Sequence, residues 1–123
     1  MPLSAADRER MRAYWQERRE REEAGARLRR HEALEKARSL AAWLKQKWGA
    51  KEVYLYGSLV QEKGFDHLSD IDLFVIGLPV DADYWRMLAE GRELARPFSP
   101  SIVTEEDALP SLRQKVLREG VAL

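Results

Sequence analysis

The stretch Asp70-Ile71-Asp72-Leu73-Phe74-Val75-Ile76 constrains this chain more than any other. It is apolar enough to be a sheet strand buried in a core, yet it opens with two carboxylates separated by one isoleucine. Side chains at i and i+2 of a strand share a face, so Ile71 goes inward while Asp70 and Asp72 stand together. Two carboxylates that close repel each other, and oxygen ligands at this spacing suit a hard divalent cation such as Mg2+. The plainer reading of the pair is capping at a loop edge or ion pairing with arginines.

A second feature precedes it. The β-rich run Val53-Tyr54-Leu55-Tyr56 ends in Gly57-Ser58, where a strand would pass into a helical turn over Ser58 to Lys63. Backbone N–H groups left free at such a start can hold a phosphate, and the glycine lets backbone come close to it. Ser58 as an ordinary helix N-cap would look the same in sequence. A phosphate cradle and a metal clamp on one sheet point to nucleotide chemistry.

The rest of the chain frames these motifs. Residues 1 to 27 form an Arg/Glu-rich helical arm, begun by a Ser4/Asp7 capping box and offering only Met11, Tyr14 and Trp15 as apolar surface. Such an arm is either a solvated helix or a segment that docks on a partner, including a second copy, through the aromatic pair. Residues 28 to 123 form the globular domain. Within it Leu34, Ala37, Leu40, Ala41, Leu44 and Trp48 recur at three and four residues and mark an amphipathic helix stopped by Gly49. Gly25 is either a break before this helix or a weak point within one long helix.

After the loop Phe65 to Ser69 and the Asp70 strand, Asp81 or Asp83 caps a helix reaching about Ala95, with Tyr84, Trp85, Leu88 and Leu94 as expected core contacts. Gly91 weakens that helix or admits another backbone. Phe98 to Val103 reads as a third strand, held to an edge by Pro97 and Pro100. Thr104 and Asp107 read as a capping box for a last helix, with Leu109, Leu112, Val116 and Leu117 on one side and Gly120 as its stop.

The expected class is therefore α/β (α+β). A small mixed sheet near residues 52 to 57, 70 to 76 and 98 to 104 carries helices on one face and a nucleotide site at its open edge.

Composition narrows the partners. Acidic and basic residues balance at 21 each, so no global field recruits nucleic acid or an anionic membrane. Arg27, Arg29 and Arg30 are offset by Glu22, Glu23 and Glu32, and nucleic acid is not the expected partner. The absence of cysteine excludes thiolate metal sites, thiol nucleophiles and disulfides. Nothing reads as a signal peptide or membrane span, and a soluble cytoplasmic chain is expected. His67 in the loop and His31 among arginines read as solvated, and Trp43, Trp48 and Trp85 read as core or interface residues.

The order helix, strand, Gly57-Ser58, loop, Asp70-Ile71-Asp72 strand, helix, strand, helix resembles the minimal nucleotidyltransferases of the DNA polymerase β-like superfamily. Their signature is Gly-Ser, a spacer of about ten residues, then Asp-x-Asp. The resemblance runs from about Leu34 to Leu123, and Leu117-Arg-Glu-Gly-Val121 is similar to the way such chains end. It implies that Asp70 and Asp72 are catalytic and bind two Mg2+ ions, and that Gly57 and Ser58 hold the phosphates of ATP or another nucleoside triphosphate. It further implies transfer of AMP to a hydroxyl on a partner, a small helical HEPN-type protein, with this chain as the antitoxin of the pair. The same resemblance exposes a departure. Active members usually carry a third carboxylate on the next strand, in a pattern like Val-Asp-Val-Val-Thr, whereas Pro100-Ser101-Ile102-Val103-Thr104 stands here. Either that alignment slips, another acid such as Glu52 serves, or the enzyme is slow or inactive. In the last case the chain is a binding module that keeps the fold and works by complexing its partner.

Overall fold

A computed structural model describes residues 2–61 and 70–123. The first helix, α1 (Ala5–Gln46), runs unbroken for 42 residues. Ser4 and Asp7 form the expected capping box: the Ser4 side chain accepts from the Asp7 N–H, and the Asp7 side chain accepts from the Ser4 N–H. Gly25 does not interrupt the helix. A helical glycine costs only about 1 kcal/mol relative to alanine, and its Ala, Glu and Arg neighbours are strong helix formers. The C-terminal half buries Ala33, Ala37, Leu40, Ala41 and Leu44. From Pro2 through Ala24, by contrast, every residue but Asp7 is exposed.

The chain then turns back as β1 (Glu52–Tyr56) and continues through one tight 3-10 turn, Gly57–Leu59. The strand β2 (Ile71–Ile76) is followed by α2 (Tyr84–Ala95), β3 (Pro100–Thr104), α3 (Pro110–Glu119) and a two-residue β4 (Val121–Ala122). The sheet has the order β3-β2-β1-β4 and is mixed as expected: β1 is antiparallel to β2 and β4, whereas β2 and β3 are parallel. A parallel pair needs a crossover, and α2 supplies it. As Pro97 and Pro100 implied, β3 lies at an edge, and it starts at Pro100 because the Phe98 N–H is still engaged by the Ala95 carbonyl at 2.8 Å.

Alternation along the strands decides the two faces. Val53, Leu55, Ile71, Leu73, Val75 and Ile102 join α1 and α2 in the main core. Phe74 and Val116 are buried outside that cluster, so α3 covers part of the opposite face. The expected helical layer is thus α1 with α2, and α3 adds a partial second cover.

Two expected packings and one expected cap are corrected. The α2 helix buries Met87, Gly91 and Ala95, a row of every fourth residue, while Trp85 is 78% exposed and Leu94 is 47% exposed. Gly91 turns that row inward by admitting side chains rather than backbone: a Cβ there would lie 3.3 Å from Ile102 Cδ1 and 3.5 Å from the Trp43 ring. Asp83, not Asp81, accepts from the Arg86 N–H as the cap. Thr104 and Asp107 form no helix cap. The Thr104 hydroxyl donates to Asp107 Oδ2 at 3.1 Å within a turn, and α3 begins later at Pro110 with Leu109 as an N-cap lacking a side-chain bond. Thr104 is held in β3 by pairing with Val75, and the proline sets the first helical turn. Consequently Val116 is buried while Leu109 and Leu117 are exposed. No helix among the described residues is long and apolar enough to cross a membrane.

Candidate active site

Strand register assembles one row of side chains across three strands. Tyr56 pairs with Asp72, and Asp72 pairs with Ser101. All three lie on the face turned away from the main core, because their neighbours Leu55, Ile71, Leu73 and Ile102 point into it. Asp72 is half-buried, and Asp70, one residue before β2, is exposed. Burial and then the charge of Asp70 push the Asp72 carboxyl above the usual carboxylate range. Burial and then the charge of Asp72 raise the Tyr56 phenol in the same way. The two aspartates therefore feel each other across the strand end, and the more enclosed one bears the desolvation.

Gly57 follows directly on this row. Its φ of +79° lies in the left-handed region, and a Cβ at this position would collide with Asp72 Oδ2 while standing 3.2 Å from Asp72 Cγ. The lack of a side chain lets the Asp72 carboxylate lie directly against the Gly57 backbone. Ser58 is half-buried in the tight turn that follows. That turn is shorter than the helical start expected from sequence: the Val60 and Gln61 N–H groups both donate to the Gly57 carbonyl, at 3.2 and 3.3 Å. Leu59 is fully buried and anchors it from below. From α1, Arg30 Nη2 donates to the Leu59 carbonyl at 3.0 Å, tying helix to turn.

Two concavities flank the aspartates. One of about 230 Å³ is bounded by Tyr56, Gly57, Val60, Gln61, Lys115 and Glu119, so α3 faces the glycine turn. The other, about 540 Å³, has Asp70 at its lip with Arg92, Arg96 and Ser99 among its lining residues. Sequence reasoning missed Tyr56, Lys115 and Glu119. The position of Tyr56 immediately before Gly57 was the available signal for the first, and nothing in the local sequence marks the other two.

Ser101 stands where a third carboxylate would complete the row, directly opposite Asp72. Glu52 pairs with Ile76 at the far end of β1, and Glu105 follows the far end of β3, where its Oε1 accepts from the Gly77 N–H at 3.1 Å. Neither reaches the aspartates. Among the described residues no group of three or more His, Cys, Asp or Glu converges to hold a metal ion. Asp70 and Asp72 could supply two carboxylates to one hard cation, which would relieve their mutual repulsion; among the described residues a second ion finds no third carboxylate.

The remaining candidates fall away from the row. His31 is exposed, and His67 lies outside the described residues. Trp43 and Trp48 pack edge to face at 6.2 Å against the core. Trp85, expected in a core or interface, contacts Tyr84 edge-on at 5.6 Å and otherwise faces solvent.

Comparison with known proteins agrees with this fold. The family model described as nucleotidyltransferase domain matches residues 37–123. No curated protein matches the chain. Among solved structures, a chain from the crystal structure of a mutant toxin-antitoxin pair, MntA-HpeT, is similar in fold, with a TM-score of 0.56 and 19% sequence identity over 70% of each chain.

Proposed function

Because the chain belongs to the nucleotidyltransferase domain family, we propose that it binds a Mg2+–nucleoside triphosphate, ATP by preference, at Gly57, Ser58, Asp70 and Asp72. It transfers the nucleotidyl group to a hydroxyl on a partner protein. The observation that carries this reading is the close approach of the Asp72 carboxylate to the Gly57 backbone, which sets a cation ligand directly beside the turn that would receive the phosphates. Asp70 and Asp72 hold the cation, which when bound neutralises charge on the oxygens of the reacting phosphate. Gly57 and Ser58 receive the phosphate tail, and Lys115 and Tyr56 line the cavity beside it. The acceptor oxygen bonds to the α-phosphorus as the bond to the bridging oxygen breaks, pyrophosphate leaves, and the hydroxyl proton passes to water.

The partner is a small helical protein of the HEPN type, neutralised as a toxin by this modification. Support comes from the fold likeness to a toxin-antitoxin component. A second reading is favoured by Ser101 opposite Asp72. A hydroxyl cannot replace a carboxylate as cation ligand and base, so turnover would be slow and neutralisation would proceed by complex formation. Incubation with α-labelled ATP, Mg2+ and the candidate partner decides between them. Label transfer that Asp70→Ala abolishes supports catalysis. Neutralisation without transfer, surviving Asp70→Asn and Asp72→Asn, supports binding.

A further inference from the structure

The domain ends well before α1 does. Arg30 is bonded to the turn after β1, at the end of the sheet that carries Gly57 and Asp72, and the helix continues from there toward its N-terminus at Ala5. Residues 5 to 24 therefore project past the candidate active site as a strut of roughly 30 Å, at 1.5 Å per residue. A lone exposed helix gains no packing energy, so its sequence should show what it is for.

Helical phase shows it. Trp15, Arg19 and Glu22 lie eighteen residues before Ala33, Ala37 and Leu40, which is five turns at 3.6 residues per turn. The side of the arm bearing Trp15 thus continues the side of α1 that is buried on the sheet. Within about 60° of Trp15 on that helix lie Arg8, Met11, Arg12, Arg18, Arg19 and Glu22, four arginines against one acid. The remaining surface between Asp7 and Glu23 carries Asp7, Glu9, Glu17, Glu20 and Glu23 against Arg10 and Arg21. The arm is neutral as a whole and polarised across its width. On the inner side Trp15 is 50% exposed and Met11 is 46% exposed, with Arg18 stacked over the Trp15 ring at 5.5 Å and paired with Glu22 at 3.2 Å. Arg8, Arg12 and Arg19 pair with no acid among the described residues.

The geometry points to a docking site for an acidic amphipathic helix of a protein partner, laid along the inner side of the arm. Apolar residues of that helix cover Met11 and Trp15, and its carboxylates face Arg8, Arg12 and Arg19, whose planar forks suit carboxylate oxygens. Self-pairing fits poorly, since two inner faces brought together set Arg12 against Arg18 and Arg19. A neutral arm also lacks the field that phosphodiester binding requires. The interaction rests on the nucleotidyl-transfer reading only for its purpose: a protein bound there reaches the end of the sheet where Asp70 and Asp72 lie.

The test titrates full-length protein into a fluorescein-labelled 21-residue Glu/Leu amphipathic peptide, its Lys/Leu counterpart and a 20-nucleotide poly(U). The Glu/Leu peptide is expected to bind in a salt-sensitive way. Affinity should fall at least tenfold in Arg12→Glu/Arg19→Glu and in Trp15→Ala, and remain unchanged in Glu17→Ala/Glu20→Ala. Circular dichroism confirms that each variant is helical. No binding, equal binding by Arg12→Glu/Arg19→Glu, or a preference for the lysine peptide or the RNA overturns the proposal. So does self-association on sedimentation that Trp15→Ala abolishes. Mg2+–ATP affinity, measured separately, should be the same in every arm variant. If instead Asp72→Ala leaves ATP binding intact, the nucleotide reading fails and the peptide result stands.

Discussion

Substituting Gly57 by alanine strains the backbone and displaces a carboxylate at once, and the two effects can be separated. At a φ of +79° an L-residue costs about 1–2 kcal/mol. The new Cβ also collides with Asp72 Oδ2, the terminal atom of a half-exposed side chain that can swing aside. Forcing Asp72 off its rotamer adds about 0.5–1.5 kcal/mol. The expected loss is about 2–3 kcal/mol, which for a domain of this size lowers Tm by roughly 8–12 °C. Gly49→Ala is the control: its φ of +77° carries the same backbone cost, and its Cβ meets only Pro79, at 3.1 Å for the nearest atom. In an Asp72→Ala background the obstructing carboxylate is gone, so Gly57→Ala should cost only the backbone share, a coupling of about 1 kcal/mol. Urea denaturation of the four cycle members measures it. Isothermal titration with Mg2+–ATP should show at least a tenfold loss for Gly57→Ala and none for Gly49→Ala. Equal costs of Gly57→Ala with and without the Asp72 carboxylate would refute the claim that the glycine is there to let that carboxylate lie against the backbone.

Other substitutions read the row and the core. Asp72→Asn is expected to stabilise the ligand-free fold at neutral pH. The folded carboxyl has a raised pKa, so the native state holds the extra proton. Its stability falls as pH rises from the ordinary carboxylate value through the raised one. The gain in Tm should therefore be larger at pH 7 than at pH 4, and a gain independent of pH would contradict the assigned cause. Ser101→Asp should lower the Tm of metal-free protein by crowding Asp72 with like charge, with Mg2+ restoring it and label transfer rising at least tenfold; unchanged transfer would locate the limit on catalysis elsewhere. Met87→Ala should cost about 2–5 kcal/mol as a core truncation, whereas Trp85→Ser should stay within about 0.5 kcal/mol. The reverse order in denaturant would mean that α2 is rotated the other way.

The parts of the fold readable in advance were those set by local rules. The Ser4/Asp7 cap, the stop of α1 before Gly49, the edge placement of β3 and the strand beginning at Ile71 each follow from a few adjacent residues. Trp85 and Leu94 were misplaced because apolar character alone does not set helix rotation. Gly91 did, by letting Ile102 and Trp43 close on the row Met87, Gly91 and Ala95. Thr104 and Asp107 have the spacing of a cap, but pairing with Val75 had already committed Thr104 to the sheet. The two-residue β4 was too short to carry any periodic signal.

For the site, the sequence by itself determined the chemistry on offer: two carboxylates one residue apart and a glycine beside a serine. Those are properties of side chains and short spacing, and they need no fold; the family resemblance added that Ser101 stands where a third acid is usual. Only the tertiary structure decided which groups meet. Register across β1, β2 and β3 placed Tyr56, Asp72 and Ser101 in one row, and it carried Glu52 and Glu105 to the far strand ends. The turn of α3 brought Lys115 to the glycine, and the continuity of α1 through Gly25 held the arm out past the strand ends. Partners that lie dozens of residues apart are chosen by hydrogen-bond register and helix phase: a shift of one residue would have sent a strand's side chains to the opposite face and turned a helix's row by about 100°.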